Sequence, residues 1–290
     1  MSEFEEVSRV YPFKVTDWVL ALIKEFSFSD PIVAQFFPRK EELTGGGELD
    51  PFLEEGTTES SCLVRRYIDR LLVITTNLCF VHCRFCMRKR NWLKEEFIFS
   101  DLGKLENYLR SHPEIRDVII SGGDPIVLDD ILLGEYLFLL RKLNIPIVRI
   151  GTRAPIVNPS MVFSKLSVFK KFAPLWLVVH VNHPVEVESE DVKTLFLELL
   201  RSGVVLSSQT VLLRGVNDSE TVLEELFFRL VTLGVRPYYL FNVDPVVGAD
   251  HFRVPLNEAL TIVNNLRKRL SGLMIPHFAI DTKDGKKIVP

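Results

Sequence analysis

From Leu71 onward, short apolar runs rich in β-branched residues alternate with longer amphipathic stretches at regular spacing. The runs are Leu71 to Thr76, Asp117 to Ser121, Pro146 to Gly151, Leu175 to Val181, Val204 to Val211 and Val235 to Phe241. Each is hydrophobic nearly throughout rather than alternating, the pattern of a parallel strand covered on both faces. The stretches between them carry helix punctuation. Asn158 before Pro159 reads as an N-cap with proline at the first helical position, and Gly203, Gly234 and Gly272 follow apolar runs as C-terminal stops. Six strands alternating with six helices predict an α/β fold with a parallel, barrel-like sheet. The first 60 or so residues differ, with one helix expected near Thr16 to Phe26 and then a polar stretch containing Gly45, Gly46 and Gly47. Residues 1–63 are therefore read as an N-terminal helical extension outside the barrel, and 64–290 as the barrel core.

In such a barrel the chemistry collects in the loops leaving the C-terminal ends of the strands, because those loops converge on one mouth. The notable residues fall there. Cys79, Cys83 and Cys86 follow the first strand, Gly122 to Asp124 the second and Arg153 the third. His180 to His183 close the fourth, Gln209 lies in the fifth and Asp244 follows the sixth. Composition then narrows the partners. The 290 residues carry 35 Lys and Arg against 38 Asp and Glu, a formal charge of -3, and 47% are hydrophobic. This excludes a disordered tail, a fibrous repeat and a strongly basic nucleic-acid binder. No apolar run reaches the roughly 18 residues of a membrane span. Glu3, Glu5 and Glu6 stand where a signal peptide would be basic. A cytoplasmic protein with no membrane or nucleic-acid partner is expected.

Three of the four cysteines crowd into the stretch from Cys79 to Cys86. A disulfide framework is spread along a secreted chain, so metal or cluster ligation is the better reading. Three thiolates at this spacing can hold three corners of an iron-sulfur cube and leave the fourth iron open to a small molecule. The alternative is a structural zinc with His82 or Cys62 as fourth ligand. Phe85, directly before the third cysteine, favours the open cluster. Ser121-Gly122-Gly123-Asp124 at a strand end permits close backbone approach to a ligand, or is a simple turn.

This CxxxCx-aromatic-C pattern after a first strand resembles the radical S-adenosylmethionine superfamily. The resemblance implies a partial (β/α)6 TIM-like barrel, a 4Fe-4S cluster on Cys79, Cys83 and Cys86, and S-adenosylmethionine chelated by the open iron and cleaved to a 5'-deoxyadenosyl radical. It also implies that Phe85, Ser121, Gly122, Gly123, Asp124, His180 and Gln209, with His183, line the S-adenosylmethionine site. Further motifs narrow the family. Arg88-Lys-Arg90, Ile120-Ser-Gly-Gly-Asp124, Arg149-Ile-Gly-Thr-Arg153, His180-Val-Asn-His-Pro184, Ser208 to Asp218, Arg236-Pro-Tyr-Tyr239 and His251-Phe-Arg253 occur in the order seen in lysine 2,3-aminomutases. The chain resembles a compact member of that family from about Arg65 to its end, roughly three quarters of its length.

That resemblance implies an isomerase that moves the α-amino group of L-lysine to the β-carbon through a radical on a pyridoxal 5'-phosphate imine. Hydrogen on the β-carbon is not acidic, so a radical replaces a side-chain base, and the cofactors carry the hard chemistry. Arg66 and Arg70, placed just before the first strand, match the arginines that hold the phosphate, and Tyr67 a residue beside the pyridine ring. Lys286 matches the lysine that holds pyridoxal phosphate. The preceding loop is two residues shorter than in the family and holds only Gly285, so Lys283 and Lys287 are alternatives. Arg88 matches the residue that receives the substrate carboxylate. Asp244, and Asp281 after the last short strand, match the pair that receives the ε-ammonium. A charge at about 4 Å from each is worth several kcal/mol at a dielectric near 20, before desolvation. Relatives acting on glutamate replace these aspartates, so both being present favours lysine, with arginine and ornithine as other cationic candidates.

Larger family members carry a C-terminal extension that builds an intersubunit zinc site. This chain ends at Pro290 and has Ser219 where the partner cysteine should fall, so no structural zinc is expected and a homodimer replaces the family's tetramer as the candidate assembly. An electron donor such as flavodoxin or ferredoxin is implied. Compact relatives supply β-lysine for attachment to elongation factor P, and the sequence does not choose between that role and a metabolic one, or between R and S products. Two other readings stand beside this one: a zinc-stabilised RNA-binding module, and a radical S-adenosylmethionine enzyme without pyridoxal phosphate, such as a methyltransferase.

Overall fold

The computed structural model describes residues 2–54 and 62–290. Three short helices open it: α1 (Glu3–Val10), α2 (Asp17–Ala21) and α3 (Pro31–Phe36). Ser2, Thr16 and Asp30 cap them by accepting from first-turn amides. The helix expected near Thr16 to Phe26 stops at Ala21, because Asp30 Oδ2 accepts from the amides of Lys24 and Glu25 and draws them out of helical geometry.

The rest of the chain runs β1 (Leu63–Tyr67), β2 (Arg70–Ile74), α4 (Leu102–Ser111), β3 (Asp117–Ser121), α5 (Asp130–Lys142), β4 (Ile147–Thr152), α6 (Ala154–Val157), α7 (Pro159–Ser164), α8 (Leu166–Phe172) and β5 (Leu175–His180). It continues with α9 (Glu190–Arg201), β6 (Val204–Leu212), α10 (Glu220–Thr232), β7 (Arg236–Asn242), α11 (Leu256–Arg269), β8 (His277–Thr282) and β9 (Gly285–Ile288). All nine strands join one sheet in chain order. Strands β2 to β8 are parallel, and β1 and β9 are antiparallel edges.

The six expected strands are β2 to β7. The last short strand expected before Asp281 is β8, and the further two, β1 and β9, are short and carry charge, so their apolar signal is weak. Arg66 consequently lies inside β1 and Arg70 begins β2, rather than both preceding the first strand, and Asp281 lies within β8 rather than after it. Gly203 and Gly234 end α9 and α10 with positive φ, as expected. Gly272 does not act as a stop, because α11 ends at Arg269 and Leu270 already leaves it in extended geometry. Between β4 and β5 three short helices replace one; Pro159 opens α7 and lacks the amide needed to continue α6. Ser219 caps α10 through its hydroxyl.

The sheet curls until its edges meet. Tyr67 Oη on β1 accepts from the Lys286 amide on β9 at 2.7 Å, and Arg66 donates to the Thr282 carbonyl. Val118, Ile120, Val148, Ile150, Leu177 and Val179 are buried beneath the helices. Between them on the same strands, Ile119, Arg149 and Trp176 align in one row on the opposite face. Burying each large aliphatic side chain contributes about 2 kcal/mol, so the outer face holds the barrel together and frees the inner face for chemistry.

The N-terminal helices lie outside the sheet, yet they brace the cysteine loop. The His82 amide donates to Lys14 O at 2.8 Å and that of Arg84 to Gln35 O at 2.9 Å. Glu42, fully buried, takes Arg84 Nη2 at 2.8 Å and Lys89 Nζ at 2.7 Å. Among the described residues no helix is long and apolar enough to cross a membrane.

Candidate active site

A cavity of about 380 Å³ lies inside the curled sheet, and every residue to which the family resemblance gave a role lines it, His183 excepted. The cysteines occupy the loop after β2. Its position is fixed by backbone contact with the loop after β3: Gly123 N donates to Thr76 O at 2.6 Å and Asp124 N to Leu78 O at 2.7 Å. A Cβ on Gly122, where φ is +128°, would come within 2.4 Å of Thr76 O, and one on Gly123 within 2.0 Å of Leu78 O. The two glycines, which also line the cavity, thus let one loop's backbone press on the other's. Asp124 lines the same cavity and braces it. Its buried carboxylate accepts from Thr152 Oγ1 at 2.6 Å and from the amides of Ile126, Arg153 and Ala154. With both oxygens engaged internally, it ties β3 to the loop after β4.

Cys79, Cys83 and Cys86 form no disulfide. Burial pushes all three thiols up, Cys86 to about 11, with neighbouring cysteines adding to the effect at Cys79 and Cys86 and Arg153 opposing it at Cys83. Such thiols are not poised as nucleophiles. Among the described residues no three His, Cys, Asp or Glu side chains converge on a single-ion site. Three soft thiol donors facing one cavity from one short loop suit a multi-metal guest with a free corner better than one zinc ion. His180 ends β5 with its ring 5.4 Å from Phe85. Its Nε2 lies 3.1 Å from Asn182 Oδ1, an acceptor that also holds the Val211 amide, which assigns the proton to Nε2 and leaves Nδ1 to accept. Burial keeps this imidazole neutral, its pKa lowered to about 3. Gln209 is its neighbour on β6, beside a bulge that inserts Tyr238 into β7.

The opposite wall is cationic. Strands β8 and β9 turn through Lys283 and Asp284, and Gly285, at φ +120°, closes the turn against the Tyr67 ring. The hairpin sets Lys286 directly opposite Asp281. Lys286 Nζ stands 3.8 Å from the Tyr239 ring centroid and 4.4 Å from that of Phe241. Burial, joined by the charges of Arg149, Arg70 and Arg66, lowers its pKa to about 8 despite Asp281. Lys283 is exposed and pairs with Glu48, and Lys287 is exposed, so of the three lysines Lys286 alone lines the cavity. Arg66 keeps a buried Nε without a hydrogen-bond partner, a donor available to an anionic group. Arg149 joins this wall unanticipated, held against Asp117 at 2.9 and 2.5 Å, with Arg70 on the same carboxylate at 3.1 Å. Its signal was a charge in the middle of a strand covered on both faces. These donors, with a low-pKa lysine, suit a phosphorylated aldehyde.

Between the two walls lie Asp244 and Arg88. Burial, then the neighbouring Asp281 carboxylate, raises Asp244 to about 7, with Arg88 and Lys286 acting in the opposite sense. Arg88 is gripped bidentately by Glu54 of the N-terminal segment, at 2.8 and 2.6 Å, and donates to Gly122 O at 3.2 Å. Glu54 is held below the ordinary carboxylate range by Arg88 and Arg90, against the cost of its burial. The guanidinium fork expected to face a substrate carboxylate already holds one from the protein itself, a pairing that nothing local in the sequence announces.

The Radical SAM superfamily pattern matches residues 73–226. A protein of Aquifex aeolicus, provisionally named L-lysine 2,3-aminomutase, is 40% identical across 97% of this chain and 78% of its own length. The L-lysine 2,3-aminomutase of Clostridium subterminale is 37% identical across 93% of this chain and 66% of its own. The chain belongs to the lysine 2,3-aminomutase family. It is a radical S-adenosylmethionine enzyme of the aminomutase type, an isomerase, and the superfamily's 4Fe-4S cluster and S-adenosylmethionine come with that membership. The family is not uniform in substrate: the glutamate 2,3-aminomutase of Clostridioides difficile is 34% identical across 97% of this chain and 68% of its own. In solved structures the fold recurs in a radical SAM methyltransferase from Sphaerobacter thermophilus, with a TM-score of 0.55 and 17% identity over 76% of this chain and 68% of that one.

Proposed function

We propose that this aminomutase acts on L-lysine, exchanging its α-amino group with a β-hydrogen, with Cys79, Cys83 and Cys86 holding the cluster and Lys286 holding pyridoxal phosphate. The observation that carries the substrate is the pair of carboxylates, Asp244 and Asp281, in the cavity that also contains Lys286 and Arg88. Asp244, whose ionisation is disfavoured by burial and by the carboxylate of Asp281 beside it, is poorly placed until a cation sits next to it. A lysine ε-ammonium is that cation. A glutamate side chain would add a third negative charge at the same place.

When bound, the cluster with S-adenosylmethionine supplies a carbon radical able to take an unactivated hydrogen, and pyridoxal phosphate supplies a π-bond across which nitrogen can move. The chain's own residues bind and orient. Lys286, depressed to about 8, presents an appreciable fraction of neutral amine to an aldehyde at neutral pH. Arg66, Arg70 and Arg149 face the phosphate, and Tyr239 and Phe241 exclude water around the amine. Phe85, His180 and Gln209 bound the S-adenosylmethionine side, where the loop from Ser121 to Gly123 lies against the cysteines. Arg88 receives the substrate carboxylate once Glu54 yields the guanidinium. Residues 64–290 form the catalytic body, and the preceding segment clamps its cysteine loop.

The test is an anaerobic assay of reconstituted protein with lysine, glutamate, arginine and ornithine in parallel, following β-amino acids by mass and chirality. Conversion of lysine, abolished by Asp244→Asn or Asp281→Asn, is expected. Turnover of glutamate and not lysine would overturn the proposal.

A further inference from the structure

Arg153, at the end of β4, points its guanidinium at a cysteine. Nη1 donates to Cys83 Sγ at 2.9 Å. The charge is buried, 6% exposed, and three groups hold it in place. Nη2 donates to Glu186 Oε1 at 2.6 Å and to Gln35 Oε1 at 2.7 Å, and the guanidinium carbon lies 4.5 Å from the Phe36 ring centroid. Glu186 is itself fixed, its Oε2 accepting from the amides of Asn182 and His183. Gln35 is fixed by donating to Glu186 and accepting from Asn182 Nδ2. Four separate segments thus converge to aim one cation at one sulfur. The counter-charge, Glu186, bonds the other guanidinium nitrogen, so the positive end of the pair faces Cys83.

We propose that Arg153 is a positioning and tuning residue that sets the reduction potential of the cluster through Cys83, with Glu186 and Gln35 holding it in register. This rests on the cluster being ligated by the three cysteines. Reduction adds an electron to the cluster, and part of that charge falls on the ligand sulfurs. A charge-assisted N–H bond to one sulfur stabilises the reduced form more than the oxidised form and raises the potential. Burial keeps water from screening the effect. The N-terminal segment, through Gln35, is therefore part of the redox apparatus, which accounts for a buried glutamine so far from the cysteines in sequence.

The experiment is an anaerobic titration of the reconstituted holoprotein without S-adenosylmethionine, reading the reduced-cluster electron paramagnetic resonance signal against ambient potential. Iron content is measured in parallel. For Arg153→Met the reduced-to-oxidised ratio at the wild-type midpoint should fall about tenfold, equivalent to about 59 mV for a one-electron couple. Glu186→Gln removes the counter-charge and should move the midpoint the other way. Unchanged midpoints in both variants, with full iron, would overturn the proposal. So would loss of iron from both while wild type retains it, since the guanidinium would then build the site rather than tune it. A wild-type protein that takes up no iron would instead refute the cluster assignment itself.

Discussion

Lysine binding should be coupled to a proton on Asp244. In the unliganded cavity that carboxyl titrates near pH 7, against an ordinary value of 3.8, because it is buried and faces Asp281. That rise corresponds to about 4 kcal/mol of disfavoured ionisation. An ammonium placed between the two acids reverses both causes, so the bound complex favours the ionised form. The sign follows. Below pH 7 the empty site holds a proton that lysine must expel, and affinity falls about tenfold per unit, or about thirtyfold from pH 8 to 5.5. The assay is equilibrium binding of lysine to the unreduced holoenzyme across that range, in buffers of differing ionisation enthalpy to count the released proton. Asp281→Asn removes the like charge and should shift the break to lower pH. Affinity that stays flat between pH 8 and 5.5, or rises on acidification, would refute the reasoning.

The same burial makes Asp244 a cost to stability. A carboxyl with raised pKa stabilises the fold only while protonated, so its contribution is present at low pH and is lost as pH rises through 7. Asp244→Asn should therefore stabilise the unliganded chain at pH 8 by about 2 kcal/mol in urea titration, with a smaller gain at pH 5, while abolishing lysine turnover. Gly123→Ala forces a Cβ onto Leu78 O and should cost about 3 kcal/mol and lower the iron content of reconstituted protein, read by iron analysis. Glu54→Gln frees the guanidinium fork of Arg88 from a charged competitor and should lower the KM for lysine several-fold. An increased KM would show that Glu54 orients Arg88 rather than competing for it. Lys286→Ala should remove the pyridoxal absorbance and leave iron content unchanged, whereas Lys283→Ala and Lys287→Ala should retain both.

Strands β2 to β7 were legible because a parallel strand buried on both faces must be apolar almost throughout, and few other segments look like that. Strands β1 and β9 escaped, and β8 was read as ending before Asp281, because these strands contribute Arg66, Lys286 and Asp281 to the cavity, and charge masks strand periodicity in four to six residues. The cysteine loop was legible from spacing alone, since three ligands in one turn of chain need no tertiary information. The grip of the N-terminal segment was not. Gln35, Glu42 and Glu54 read as ordinary polar residues, and their meaning lies in pairing with Arg153, Arg84 and Arg88, a relation that only folding creates. Asp124 shows the same limit: sequence gives its place at the cavity and not what its oxygens touch, and its carboxylate braces the loop after β4.

On the proposed function, one cavity brings a radical generated at the three-cysteine loop to the β-carbon of a lysine held by Asp244, Asp281 and Arg88. The most direct test is mass spectrometry of the adenosyl group after anaerobic turnover with lysine deuterated at the β-carbon. Deuterium should enter the 5'-deoxyadenosyl moiety, with lysine and not with β-deuterated glutamate. Conversion of lysine with no deuterium in that moiety, or label arriving from glutamate alone, would contradict it.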